Sequence, residues 1–296
     1  MFAKTRKINS PRVVLSSVLI LVITFMAFAP CLKNGFIDSW DDREYVTQNT
    51  VIQHLSPHSM ARIFSTFFAS TYLPLTMLSY MFDYRFFRLD PFGYHLTNLI
   101  FHLLNCLLVF WFVRLLSWNA LVSFIAAIFF GVHPLHVESV AWISERKDVL
   151  YSFFFLLSMI CYCHYLQTRK TGKVYWLAVV FFVFSLISKA MAITLPLLLL
   201  LTDYLKGRKY DRGMIADKIP FLIFAVCFGI LGIYGQGPTL QNELLLGFFD
   251  KCLMQLFFIS ARSCCPQGFP VSIPIQGSRI FRSIYFHLPV ALPFLF

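Results

Sequence analysis

The chain has 296 residues, 58% of them hydrophobic and 13% charged, with a mean hydropathy of +0.70. Soluble domains carry roughly a quarter charged residues, so a soluble globular protein is excluded. The net charge of +11 does not indicate nucleic acid, because the basic residues lie in short runs beside apolar segments and not along one soluble face. It fits membrane anchoring by the positive-inside rule.

The N-terminus is basic (Lys4, Arg6, Lys7, Arg12), and an apolar run over 13–29 follows. A signal peptide has a shorter apolar core and a small-residue cleavage site. The run is therefore read as an uncleaved first span with a cytoplasmic N-terminus. A spanning helix needs ~20 mainly apolar residues, and the segments 13–30, 94–116, 119–132, 149–166, 174–190, 192–205 and 219–235 are the candidates. The fold class expected is all-α, a polytopic membrane protein of about seven to eight spans.

Between the first two spans runs an outer segment, 31–93, long enough to carry structure of its own. Ser56-Pro57 is an N-cap with a first-turn proline, a helix start. Phe64, Phe67 and Phe68 then form one apolar stripe, as on an interfacial helix. The stretch 72–87, with Pro74, Asp83 and Arg85, is read as a membrane-surface or re-entrant helix and alternatively as an eighth span.

Alternating the sides puts thirteen Lys and Arg on the cytoplasmic face, including Arg114, Arg169, Lys170, Lys173 and the run from Lys206 to Lys218. The outer segments 31–93 and 133–148, with Lys189, hold eight spread over a longer stretch, and this asymmetry supports the topology. Nine of the fourteen acidic residues (Asp38, Asp41, Asp42, Glu44, Asp83, Asp90, Glu138, Glu145, Asp148) fall in those two outer segments. Carboxylates held beside a bilayer serve as base, metal ligand or cation site.

In Trp40-Asp41-Asp42-Arg43-Glu44-Tyr45, two adjacent carboxylates between aromatics suit deprotonation of a hydroxyl or cation binding, or else form a solvated acidic loop. The third span should end at Pro134. His133, His136 and Glu138 are ligand types, but their spacing matches no strong zinc template, and interfacial histidines often just cap backbone. No metal and no cofactor is expected. Glu138 and Glu145, seven apart, share a face if the segment is one helix, and Asp148 adds a turn. Arg146-Lys147 beside them either pairs with these acids or binds a lipid phosphate. Lys189, isolated in apolar sequence, either snorkels to the headgroups or forms an anion site. The eight cysteines match no disulfide or zinc framework and read as structural.

Ordered along the chain are Gly35-Phe36, Trp40-Asp41-Asp42-Arg43 with Tyr45, then Tyr72 with Pro74-Leu75-Thr76, then Tyr94-His95-Leu96-Thr97-Asn98 with His102-Leu103-Leu104-Asn105. His133-Pro134-Leu135-His136-Val137-Glu138-Ser139-Val140-Ala141-Trp142, Glu145-Arg146-Lys147-Asp148, Ser188-Lys189 and Thr194-Leu195-Pro196 follow. Over about 30–210 this set resembles the GT-C superfamily of multi-span glycosyltransferases. Within it the set is similar to the transmembrane O-mannosyltransferases with C-terminal tetratricopeptide repeats and their bacterial relatives.

The resemblance implies sugar transfer, with mannose one option, from a polyprenyl-phosphate donor to an acceptor hydroxyl on protein or glycan, at the non-cytoplasmic face. That face is periplasmic in a bacterial inner membrane, or lumenal in the endoplasmic reticulum of a eukaryote. By motif, Asp41 takes the place of the base, Asp42 is second and Tyr45 completes the pattern. Glu138, with Asp148, matches the second acidic position. Arg146 and Lys189 are candidates for the donor phosphate, and His133 and His136 support. Residues 1–250 would form the catalytic membrane core and 251–296 a divergent or truncated C-terminal membrane segment. No ~34-residue repeat occurs, and the match ends by about Arg262. The rival readings are a membrane transporter or lipid-linked sugar carrier using the same acids for a cation, and an inactive truncated relative. Acids in outer segments and the lack of internal repeats favour the enzyme over a transporter.

Overall fold

The computed structural model describes residues 11–117, 119–168 and 172–235, all within the unit Met1–Asn242. These residues are helical, apart from loops and one isolated bridge between Phe68 and Thr71. Arg169, Lys170 and the expected C-terminal segment 251–296, with its cysteines, lie outside the described residues.

Helix α1 (Pro11–Phe28) continues into a 3-10 turn, Ala29–Lys33, at Pro30, whose ring cannot donate to the helical ladder. In the segment that follows, α2 (Pro57–Ser65) starts as expected, with the Ser56 hydroxyl accepting from Ser59 N. It ends sooner than the phenylalanine stripe predicted. Thr66 is extended, Ala69 and Ser70 take φ of 43° and 60°, and Phe67 and Phe68 lie in this turn beyond the helix. Helix α3 (Pro74–Phe87) follows. Its 14 residues measure about 21 Å, short of the ~30 Å hydrocarbon core.

Helix α4 (Pro91–Ser117) packs against α1, α5 (Ala120–Val132) and α7 (Arg146–Thr168). Gly131 is required where α5 meets α1, because a Cβ there would lie 2.4 Å from the Thr24 hydroxyl oxygen. Between α5 and α7 the chain makes only the short α6 (His136–Ala141), an extended Trp142 and a 3-10 turn at Ile143–Glu145. Its carbonyls would be costly to bury unpaired. A polar stripe on α4 pairs one of them, at Trp142, and reaches the adjoining ends of α5 and α7. Asn98 Nδ2 donates to Trp142 O at 3.1 Å, Asn105 Nδ2 donates to Val149 O at 2.8 Å, and His102 Nε2 lies 2.9 Å from Gly131 O.

Helix α8 (Gly172–Leu186) pairs with α7, with Ser158 Oγ donating to Ala178 O and Ser185 Oγ to Tyr151 O, both at 2.8 Å. It stops three residues before Lys189. A 3-10 turn, Ala190–Thr194, then leads to α9 (Leu195–Leu205), α10 (Arg212–Ala216) and α11 (Ile219–Gly235). Among the described residues, four helical segments are long and apolar enough to cross a membrane: Pro11–Lys33, Pro91–Ser117, Ile143–Thr168 and Arg212–Gly235. Three shorter apolar segments accompany them: Ala120–Val132, Gly172–Leu186 and Ala190–Leu205. The protein is a multi-pass membrane protein, all-helical over the described residues.

Candidate active site

The start of α7 gathers acidic and basic groups from three parts of the chain. Lys147 Nζ lies 2.9 Å from Glu145 Oε1 and 3.8 Å from Asp41 Oδ2. Lys189 Nζ lies 3.6 Å from Glu145 Oε2 and pairs with Asp148 Oδ1. Ser139 Oγ donates to the other Asp148 oxygen at 3.0 Å. A continuous chain of ion pairs thus runs Asp41–Lys147–Glu145–Lys189–Asp148, with Glu145 bridging the two lysines. Lys189 stands in the break between α8 and the turn before α9, its backbone extended and its N–H donating to Ser185 O at 3.0 Å.

Asp41 and Asp42, adjacent in sequence, play different parts. The Asp41 side chain is 42% exposed, with Lys147 its nearest cation. Asp42 is fully buried. Its Oδ2 accepts from Ile37 N at 2.8 Å, and its Oδ1 accepts from Ser144 N at 3.0 Å and from the Ser144 hydroxyl. A π-helical turn at Arg43–Thr47 follows Asp42, and such turns are frequent at functional sites. Tyr45, on this turn, is buried, and the Lys147 ammonium lies 5.3 Å from its ring centroid. Burial and the charges of Asp41 and Glu44 raise the Tyr45 hydroxyl well above its ordinary range, so it stays protonated.

Arg146 points into the protein. It is completely buried and pairs with Asp83 of α3, donates from Nε to Asn98 Oδ1 at 2.7 Å and from Nη2 to Tyr94 O at 2.8 Å, and lies over the Tyr80 ring at 4.7 Å. Its expected hold on a phosphate thus gives way to an internal clamp, and Lys147 instead takes the outward position. The expectation that Glu138 and Glu145 share a helical face also needs correction. The helix breaks at the extended Trp142, leaving Glu138 exposed and Glu145 13% exposed inside the ion-pair chain. No side-chain bond ties Glu138 among the described residues. Of the two expected supports, His133 accepts from Leu135 N at 3.2 Å through Nδ1, while His136 packs against Phe130 at 4.4 Å between ring centroids. Burial, aided by His133, lowers the His136 pKa and favours its neutral form.

Two features were missed in the sequence reading. Trp40, exposed, meets Trp142 edge to face at 5.0 Å, an aromatic pair beside Asp41. Towards the far end of α7, about 24 Å along its axis, Asp203 is fully buried and accepts from Tyr162 Oη at 3.0 Å while pairing with Lys218. Arg208 and Asp217 extend this second cluster at 2.7 Å. An acid inside the apolar run 192–205 was its visible signal.

Comparison with known proteins bears on what this arrangement serves. Protein O-mannosyl-transferase TMTC2 of Homo sapiens is 37% identical over 106 residues, which is 36% of this chain and 13% of the relative. Protein O-mannosyl-transferase Tmtc1 of Drosophila melanogaster is 30% identical over 193 residues, covering 62% of this chain and 22% of the relative. Over these stretches the chain is similar to protein O-mannosyl-transferases. Human TMTC4 of the same name is 28% identical over 225 residues, covering 67% of this chain and 30% of that protein. The matches thus span less than a third of the length of these relatives. No family model matches the chain, and no solved structure does.

Proposed function

We propose that this chain carries the catalytic membrane core of a glycosyltransferase that moves a sugar, mannose by its relatives' names, from a polyprenyl-phosphate donor to a hydroxyl of an acceptor protein. The observation that carries the reading is the exposed Asp41 carboxylate held beside Lys147, a cation that one half-buried carboxylate, Glu145, links to a second, Lys189. The non-cytoplasmic side is assigned to it, because the basic groups Arg208 and Lys218 gather at the opposite end of α7.

In this mechanism Asp41 accepts the proton of the acceptor hydroxyl as its oxygen bonds to the sugar C1. The C1–O bond to phosphate breaks, and its electron pair leaves with the polyprenyl phosphate. Lys147 and Lys189 stabilise that charge at headgroup depth. Asp148 aims Lys189, Asp42 fixes the loop that carries Asp41, and Arg146 fixes the start of α7. Glu138, exposed on the same segment and without a side-chain partner among the described residues, orients the acceptor in this reading. Nothing in these steps calls for a metal.

The test is transfer from a radiolabelled polyprenyl-phosphate mannose in membranes holding the full chain. Label released from protein by alkaline β-elimination is the expected result. Donor that binds but yields no glycosylated product under any acceptor supplied would overturn the reading.

A further inference from the structure

Away from this site, a cavity of about 560 Å³ opens between α1 and the start of α5. Ligand pockets commonly measure roughly 300–1,000 Å³. On α1 its wall is formed by Arg12, Leu15, Ser16 and Leu19, a set spaced i, i+3, i+4, i+7 and therefore one helical stripe. Leu121 and Phe124 of α5 close the other side, and Asn119 stands at the same end as Arg12. The groove lies where the start of α5 runs beside the first turns of α1, while the end of α5 closes on α1 at Gly131 and Thr24.

Its two ends differ in chemistry. The Asn119 side-chain oxygen caps α5 by accepting from Leu121 N at 2.9 Å and Val122 N at 3.4 Å. Its Nδ2 group, the Ser16 hydroxyl and the Arg12 guanidinium remain without partners among the described residues. Arg12 is exposed, with no carboxylate paired to it among those residues. Three donors, one of them cationic, thus head a slot lined by leucine and phenylalanine. An acyl chain suits the slot and a phosphodiester suits the donors.

We propose that this groove is a binding site for one anionic phospholipid, its phosphate on Arg12, Ser16 and Asn119 and an acyl chain along Leu15, Leu19, Leu121 and Phe124. The lipid fills the gap between the first turns of α1 and the start of α5.

Native mass spectrometry of the purified full chain, after incubation with vesicles of equal phosphatidylglycerol and phosphatidylcholine, tests it. One retained phosphatidylglycerol is expected, favoured about fivefold over phosphatidylcholine, the factor one basic residue gives near a bilayer. Arg12→Gln should abolish the preference. Leu121→Trp, which narrows the slot from an exposed position, should abolish retention, whereas Leu197→Trp, exposed on α9, should not. Equal retention of both lipids would overturn the proposal, as would an Arg12→Gln protein that keeps the preference. Should Leu121→Trp fail to fold, the Arg12→Gln result still decides.

Discussion

The carboxylate of Asp42 accepts from Ser144, 102 residues away, inside the protein: from its backbone N–H at 3.0 Å and from its hydroxyl. This contact ties the first outer segment to the turn before α7, so the loop bearing Asp41 is held against the lysines of the ion-pair chain. Hydrogen bonds to a charged group contribute about 1.5–3 kcal/mol each, and the donors left behind cost more when buried. Asp42→Ala should therefore lower stability by about 3 kcal/mol or more, seen as a large fall in thermal midpoint. A normal midpoint would show that Asp42 does not hold this loop.

Arg146 and Lys147, neighbours in sequence, should behave as different classes of mutant. Arg146→Ala strands Asp83 in the interior, a loss of about 3–5 kcal/mol for a broken buried pair, and should appear as low folded yield. Lys147→Ala and Lys189→Ala should fold but lose kcat/KM for the donor by roughly tenfold or more, the value of one charge-assisted hydrogen bond. A folded, donor-binding Arg146→Ala protein would contradict this division.

Glu145 occupies both lysines in the absence of substrate, so it competes with any phosphate that binds them. Replacing it with Gln removes that competition while keeping its shape. About 1 kcal/mol for a partly screened pair predicts a donor KM lowered by about fivefold, measurable by titrating donor in the transfer assay. A raised KM would show that Glu145 aids binding.

The Asp203–Lys218 pair at the opposite end of α7 should be a stability element with no part in transfer. Asp203→Asn leaves a buried ammonium and should cost about 3–5 kcal/mol. The double replacement Asp203→Leu, Lys218→Met should recover most of it, because an apolar pair of similar volume is often neutral in such a place. Thermal melts of the single and double variants decide this.

Much of the fold is legible in the sequence because its signals are local. Length and apolarity place α1, α4, α7 and α11, and Ser56-Pro57 and Pro134 mark helix ends where the structure has them. The site is less so, because its geometry rests on contacts between distant segments. Asp41 and Asp42 look alike in sequence, and only the donors of Ile37 and Ser144 separate a buried clamp from an exposed base. Likewise, Glu138 and Glu145 share a face only if the helix continues, and the extended Trp142, held by Asn98 of α4, breaks it. Arg146 turns inward because Asp83, contributed by α3, waits there. No spacing within 133–148 carries that information.

In the proposed mechanism Asp41 takes the acceptor proton. Single-turnover transfer by Asp41→Asn, at donor saturation and with its thermal midpoint checked, tests it most directly. The account predicts a rate at least about 100-fold below the parent chain, the usual contribution of a general base, with donor affinity and folding unchanged. Transfer at the parent rate would contradict it.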